Sequence, residues 1–314
     1  MEAAAASAAA QRAVPVIGAA RRRWGETAIR GLLFVAAMIS VLTTTGIVVS
    51  LLRETIVFFK SVGLFEYLFG TVWTPTFEPA SFGVLPLLVG TFLICGIAML
   101  VAVPLGLAAA IYLSEYARPP VRKTVKPVLE LLAGVPTIVF GYFALTYFTP
   151  NILKDILGLH IDVFNALAAG IIMGFMIVPT VASISEDAMS AVPQSLREGA
   201  FGLGASKLHV SLRIVFPAAL SGIVASIVLG VSRAVGETMI VLVAAGQVAS
   251  LSANPNLPHY TITSFIGAQA KGDIPTGSVE YKTIFALGMT LFLITLVMNL
   301  ISIRFVRKYR QVYE

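Results

Sequence analysis

The chain has 314 residues, of which 57% are hydrophobic and only 12% charged, and its mean hydropathy is +0.89. Soluble domains carry about 25% charged residues, so the composition excludes an ordinary soluble protein and indicates an integral membrane one. The net charge of +6 comes from Lys and Arg beside apolar runs, a pattern that orients membrane spans rather than one that grips nucleic acid; the single cysteine, Cys95, lies in an apolar run and forms no intrachain disulfide.

In chain order, residues 1–20 read as a mobile, Ala-rich stretch, the start of an N-terminal tail over 1–30 that also holds Arg21, Arg22, Arg23 and Arg30. The charge-free run 31–52 that follows is too long for the core of a signal peptide and fits a bilayer span of ~20 residues. No small-residue cleavage site closes it, so a retained first transmembrane helix is predicted. Residues 53–81, with Tyr67, Trp73 and several Phe, are expected to be extracytoplasmic, partly helical and interfacial. Further charge-free stretches follow at 79–114, 131–153, 163–185, 214–232 with 238–270, and 283–303. Together they predict an all-α protein of six transmembrane helices, with a five-helix core over 82–304, a cytoplasmic loop at 187–217 and a tail at 305–314. Pro86 and Pro104 fall in the second span, Pro136 in the third and Pro179 in the fourth, so kinked helices are expected, their freed carbonyls satisfied by neighbours.

Orientation follows from the basic residues. Of the 22 Lys and Arg, 16 fall in segments 12–30, 118–126, 197–213 and 304–310, five fall on the alternate side, and the last is Arg233. Under the positive-inside rule this places both termini and the 187–217 loop in the cytoplasm.

That loop is unusual for a connection between spans. Gly199, Ala200, Gly202, Gly204 and Ala205 allow close approach by another protein, and Gly204 permits a turn between two short helices. Leu208, Leu212 and Val215 are spaced for one helix face, with Lys207 and Arg213 off it. A partner-docking helix pair and a helix lying on the lipid surface both fit this pattern. The spacing separates them: Glu198-Gly199-Ala200, three residues, Gly204, nine residues, Ile214, one residue, Phe216-Pro217. It resembles the cytoplasmic motif of binding-protein-dependent ABC importer permeases, with Gly199 for an Ala and Phe216 for a Leu. The resemblance implies a type I permease architecture and assigns Glu198, Gly199, Ala200, Gly204, Ile214 and Pro217 to coupling with an ATPase.

Arg233 and Glu237 interrupt the fifth span, where a charge costs ~2.5–3.5 kcal/mol on insertion scales. Four residues apart on a helix they share a face, and both a structural ion pair and the lining of an anion pathway fit that spacing. An Arg fork suits a tetrahedral oxyanion, while Glu237 repels a fully ionised anion and accepts a hydrogen bond from a protonated one. The runs Gly230–Met239 and Leu131–Gly141 (Leu-Leu-Ala-Gly-Val-Pro-Thr-Ile-Val-Phe-Gly) resemble the fifth- and third-span signatures of phosphate-importer permeases of the PstC type. The resemblance covers about residues 80 to 304 and implies that Arg233 and Glu237 take part in phosphate passage. Gly134 and Pro136 permit a helix break; the Thr137 hydroxyl beside it is either a pathway group or part of a packing notch.

No catalytic motif, P-loop or metal-ligand spacing is present: His160, His209 and His259 are scattered, and no G-x-x-x-x-G-K-[ST] occurs. The chain is therefore expected to be no enzyme and to hold no cofactor, with ATP and Mg bound by a partner. The resemblance implies ATPase subunits, a related second permease subunit forming a heterodimer, an extracytoplasmic phosphate-binding protein, and a multi-pass location in a bacterial cytoplasmic (inner) membrane. A permease for another oxyanion, sulfate or molybdate, and a non-ABC secondary carrier are the rival readings.

Overall fold

The structure, a computed structural model, describes residues 24–309 except 271, 273, 274 and 276. The expected N-terminal tail lies outside the described residues through 23, and from Trp24 onward it is already helix. Helix α1 runs Trp24–Ser61 and α2 Leu64–Phe69; the strands β1 (Trp73–Thr74) and β2 (Ser81–Phe82) pair antiparallel, Trp73 opposite Phe82. Then come α3 (Leu85–Ile111) with a π-helical continuation Tyr112–Tyr116, α4 (Pro119–Ala133), α5 (Thr137–Phe143) continued as a π-helix over Ala144–Ile156, and α6 (Ala166–Ser190). Helix α7 is Gln194–Gly202 and α8 is Lys207–Val210, prolonged by Ser211–Val215 and Phe216–Ala218. The chain ends in α9 (Leu220–Gly236), α10 (Met239–Ala244), α11 (Ile262–Gln269) and α12 (Val279–Tyr309); the last part of the expected C-terminal tail, 310–314, lies outside the described residues.

Among the described residues, four helices are long and apolar enough to cross a bilayer, Gly25–Ser61, Leu85–Tyr116, Ala166–Ser190 and Val279–Arg307, and the number rises to six when each of two bent pairs counts as one span. Those pairs are α4 with α5, bent by 85°, and Lys207–Ala218 with α9, bent by 72°. The six expected spans correspond to these elements. Two boundaries differ. Pro86 opens α3 at its first turn and kinks nothing, because the amide it lacks would be unpaired there anyway. The run 238–270 is not one helix: α10 stops at Ala244 and α11 begins at Ile262. Gly246 has φ +89°, with Pro258 packed where its side chain would be. The intervening loop is tied down by the amides of Asn165 to the Ala244 carbonyl, His259 to Ala245 and Tyr260 to Val248, which satisfies backbone that a bilayer cannot.

By contacts the chain divides into two compact units, Met1–Ser50 and Leu51–Glu314. In the first, the described residues from Gly25 onward are helical with nearly all side chains exposed. The second holds the core. Its centre is α3 against α6, built from Ala98, Ala102, Ala169, Met173, Met176, Ile177 and Val181. Where apolar surface alone does not drive helices together, small residues that let backbones approach do. Gly174 is such a position: a Cβ there would lie 2.7 Å from Val101 Cβ and 2.8 Å from the Ala98 carbonyl oxygen, both on α3. Gly174→Ala is expected to cost ~1–3 kcal/mol, read as a lower thermal inactivation temperature in detergent. Gly96→Ala, with nothing within 4 Å of the added atom, should leave that temperature unchanged.

Segment 53–81 is partly helical, and a second cluster joins its Phe58, Tyr67 and Trp73 to Phe82, Tyr260 and Phe265, while Phe65, Phe69 and Phe77 are exposed. The Thr290 hydroxyl gives its proton to the Ala286 carbonyl, so the Tyr67 hydroxyl donates to Thr290 Oγ1 at 2.8 Å. Burial pushes the Tyr67 phenol above its usual range, and it stays a donor.

Candidate functional site

Arg233 occupies the last turn of α9. It is partly exposed, and its Nη1 donates to Thr180 Oγ1 of α6 at 3.1 Å. Among the described residues that is its one side-chain hydrogen bond, so most of the five-donor fork is unengaged. Thr180 follows Pro179 inside α6; it is a partner that sequence reasoning missed, because nothing in the spacing of residues 180 and 233 marks them as neighbours.

The Arg233–Glu237 ion pair, one of the two readings that the spacing left open, does not form. Helix α9 ends at Gly236, and Glu237 turns to an extended conformation, ψ 130°, so the shared helical face that the four-residue spacing requires is gone. The Glu237 carboxylate instead caps α10: Oε1 accepts from the amides of Met239 at 3.0 Å and Ile240 at 3.2 Å. The Glu237 carbonyl accepts from Thr263 Oγ1 at 2.6 Å. One buried residue thus joins α9, α10 and α11 at a break in the span, and its negative charge suits the amide end of a helix.

Thr137 opens α5 immediately after the break at Gly134–Pro136, half-buried. Farther along the same helix, Gly141 lies against α10: a Cβ there would be 3.1 Å from Ile240 Cα and 3.2 Å from the Met239 carbonyl oxygen. The fold therefore brings together the two segments that carry the span signatures, 131–141 and 230–239.

In the loop, Pro193 precedes α7, Gly204 adopts φ +81°, and Ser206 caps α8 by accepting from the His209 amide at 3.3 Å. Among the motif positions, Glu198, Gly199, Gly204 and Pro217 are exposed, Ile214 is half-buried and Ala200 is buried. An added Cβ at Gly199 meets nothing within 4 Å, so Gly in place of Ala there is sterically neutral. The expected single face of Leu208, Leu212 and Val215 is corrected: Val215 is fully buried together with Val210, while Leu208 and Leu212 are exposed. The reason is the π-helical turn over Ser211–Val215, whose wider, i→i+5-bonded turn brings residues 210 and 215 toward one side. Beneath the loop lie Met189, Val192, Ala200, Ala219 and Ile223. On its surface Leu203 is 92% exposed, with Phe201, Leu208 and Leu212 also exposed.

An ionic network at this end of α6 was not legible in the sequence. Glu186, fully buried, is ion-paired with Arg122 and with Lys126 (2.8 Å) and accepts from Ser190 Oγ at 2.8 Å; Lys126 also pairs with Asp187. Arg122 and Lys126 stand one turn apart on α4, which is how they reach one carboxylate. Arg197, buried, donates to the carbonyls of Val192 (2.5 Å) and Met189 (2.8 Å) and to Glu115 Oε1 (3.1 Å). Its neighbourhood is a cavity of about 360 Å³ whose lining includes Glu115, Arg122, Ser190, Phe201 and Lys207.

Comparison with known proteins gives a consistent set of likenesses. The family described as "Binding-protein-dependent transport system inner membrane component" matches over residues 102–311. The probable ABC transporter permease protein YqgH of Bacillus subtilis is 35% identical over 255 residues, 81% of each chain. The phosphate transport system permease protein PstC of Mesorhizobium japonicum is 33% identical over 280 residues, 83% of each. Among solved structures, a chain of a bacterial alginate ABC transporter superposes with a TM-score of 0.64 at 16% identity, covering 91% of this chain and 98% of that one. A chain of the MetNI methionine ABC transporter does so at 0.53 and 19%, covering 73% and 95%. The structural likenesses carry the fold.

Proposed function

Because this chain belongs to the family of binding-protein-dependent transport system inner membrane components, we propose that it is the permease subunit of an ATP-driven importer of inorganic phosphate. The observation that supports this most is similarity to phosphate permeases over about four fifths of the chain, in a chain whose broken fifth span holds an arginine with a largely unengaged fork. Phosphate presents oxygens in the geometry that a guanidinium grips with parallel hydrogen bonds. Thr180 occupies one of those donors, and an entering anion takes its place. Glu237 acts through the backbone: by capping α10 it fixes the end of α9 and so the position of Arg233. Thr137, at the α4–α5 break, lies on the same proposed path.

The chain has no nucleotide-binding motif, so the driving force comes from ATPase subunits that bind ATP and Mg and seat the α7–α8 loop through the exposed surface around Glu198, Gly204 and Leu208. A related second permease completes the conduit, an extracytoplasmic phosphate-binding protein delivers the anion, and both termini and the loop face the cytoplasm. The test is uptake of radiolabelled phosphate by vesicles holding the full complex, with ATP supplied on the loop side. Uptake should require ATP, and a 100-fold excess of sulfate or molybdate should not compete. Uptake without nucleotide would indicate a secondary carrier, and effective competition would indicate a different oxyanion.

A further inference from the structure

We propose that Arg197 is the positioning residue that makes the docking loop and α6 move as one body, so that a push on α7 is delivered to the Thr180–Arg233 contact. This rests on the functional reading above and adds the path by which movement reaches the anion site. A buried arginine must have its charge and its donors satisfied, and Arg197 meets that requirement on three separate segments. The Met189 carbonyl belongs to the last turn of α6, where the orphan acceptors and the negative end of the helix dipole lie. The Val192 carbonyl belongs to the link between α6 and α7. The Glu115 carboxylate comes from the π-helical end of α3, and the same Oε1 that accepts from Arg197 also accepts from Ser114 Oγ at 3.0 Å.

The consequence is mechanical. Arg197 lies one residue before Glu198, on the helix a partner would grip, yet all its partners are outside that helix. Helix α7 therefore cannot tilt away from α6 without leaving a buried cation unpaired. From Met189 to Thr180 is nine residues of continuous helix, roughly 14 Å at 1.5 Å per residue, and Thr180 is the acceptor for Arg233. The docking surface, the Arg197 fork, the C-terminal half of α6 and the anion-binding guanidinium thus form one contiguous line of hydrogen-bonded and helical contacts. The Glu186 cluster ties α4 to the same end of α6 and keeps that end from yielding.

Lysine is a point donor in place of a planar fork, so Arg197→Lys keeps the charge and loses the simultaneous reach to three acceptors. In vesicles holding the full complex, the measured quantity is phosphate taken up per ATP hydrolysed. We expect Arg197→Lys to lower that ratio at least tenfold, with hydrolysis per assembled complex changing less than threefold. Glu115→Gln, which keeps an acceptor of the same size, is expected to lower it by a smaller factor, and it serves as the readout should Arg197→Lys fail to assemble. Uptake and hydrolysis falling in proportion to the amount of complex would mean that Arg197 only braces the fold, and a wild-type ratio in both variants would also overturn the proposal. A wild-type complex without nucleotide-driven uptake would instead defeat the functional reading on which it rests.

Discussion

Arg233→Gln is expected to reduce phosphate uptake at least 100-fold while leaving the amount of membrane-inserted complex unchanged. Charge-assisted hydrogen bonds contribute about 1.5–3 kcal/mol each, so losing a two-pronged grip on an anion costs ~3–6 kcal/mol. The fold loses little: the single bond from Nη1 to Thr180 is offset by relief from holding a charge at membrane depth. Glutamine is too short to keep the Thr180 contact, so the unchanged amount of inserted complex is what shows that a loss of uptake reports the missing cation rather than a collapsed fold. Arg233→Lys should fall between the two, since it retains charge without the fork. Radiolabelled uptake in cells lacking other phosphate importers, with the variant quantified in isolated membranes, makes the measurement. Uptake within a factor of two of wild type would remove Arg233 from the pathway.

How far the sequence reached depends on whether a property is periodic. Apolar runs separated by Lys and Arg are a one-dimensional signal, so the six candidate spans and the break at Gly134–Pro136 were legible. The interruption after Ala244 was not, because 238–270 is charge-free; its markers were Gly246 and the Asn254–Pro258 turn sequence, which a hydropathy window averages away. The misplaced face of α8 has a related cause. A helical wheel assumes a 3.6-residue period, and the π-helical Ser211–Val215 departs from it, exposing Leu212 and burying Val210.

The charged residues show the deeper limit. Arg233 and Glu237 stand out in the sequence as charges in an otherwise apolar run, but of the two readings of their spacing the ion pair fails, since spacing places residues on a shared face only while the helix continues. Gly236 was the available hint that it does not. Arg197 and Glu115 are separated by 82 positions, and Arg122 and Glu186 by an α4–α6 contact of the same non-local kind. In a charge tally these cations register as markers of sidedness, and only the packing of α3, α4, α6 and α7 reveals them as a joint.

The second large effect is expected from the outer surface of the loop. Leu203→Asp combined with Leu208→Asp should abolish copurification of the ATPase subunits and, with it, ATP-driven uptake, while the chain still inserts and elutes as a folded species. Both leucines are exposed in the isolated chain, Leu203 by 92% and Leu208 by 59%, beside Phe201 and across the turn set by Gly204. Burying a leucine against a partner contributes ~1.5–3 kcal/mol, and a carboxylate in its place adds a desolvation penalty. Losing both contacts therefore weakens the complex at least 100-fold. The interior beneath, Val210, Val215 and Ile223, is untouched by either change, so thermal stability of the purified chain should stay at the wild-type value. ATPase retained at the wild-type ratio would mean that these leucines face lipid and that the partner grips the loop elsewhere.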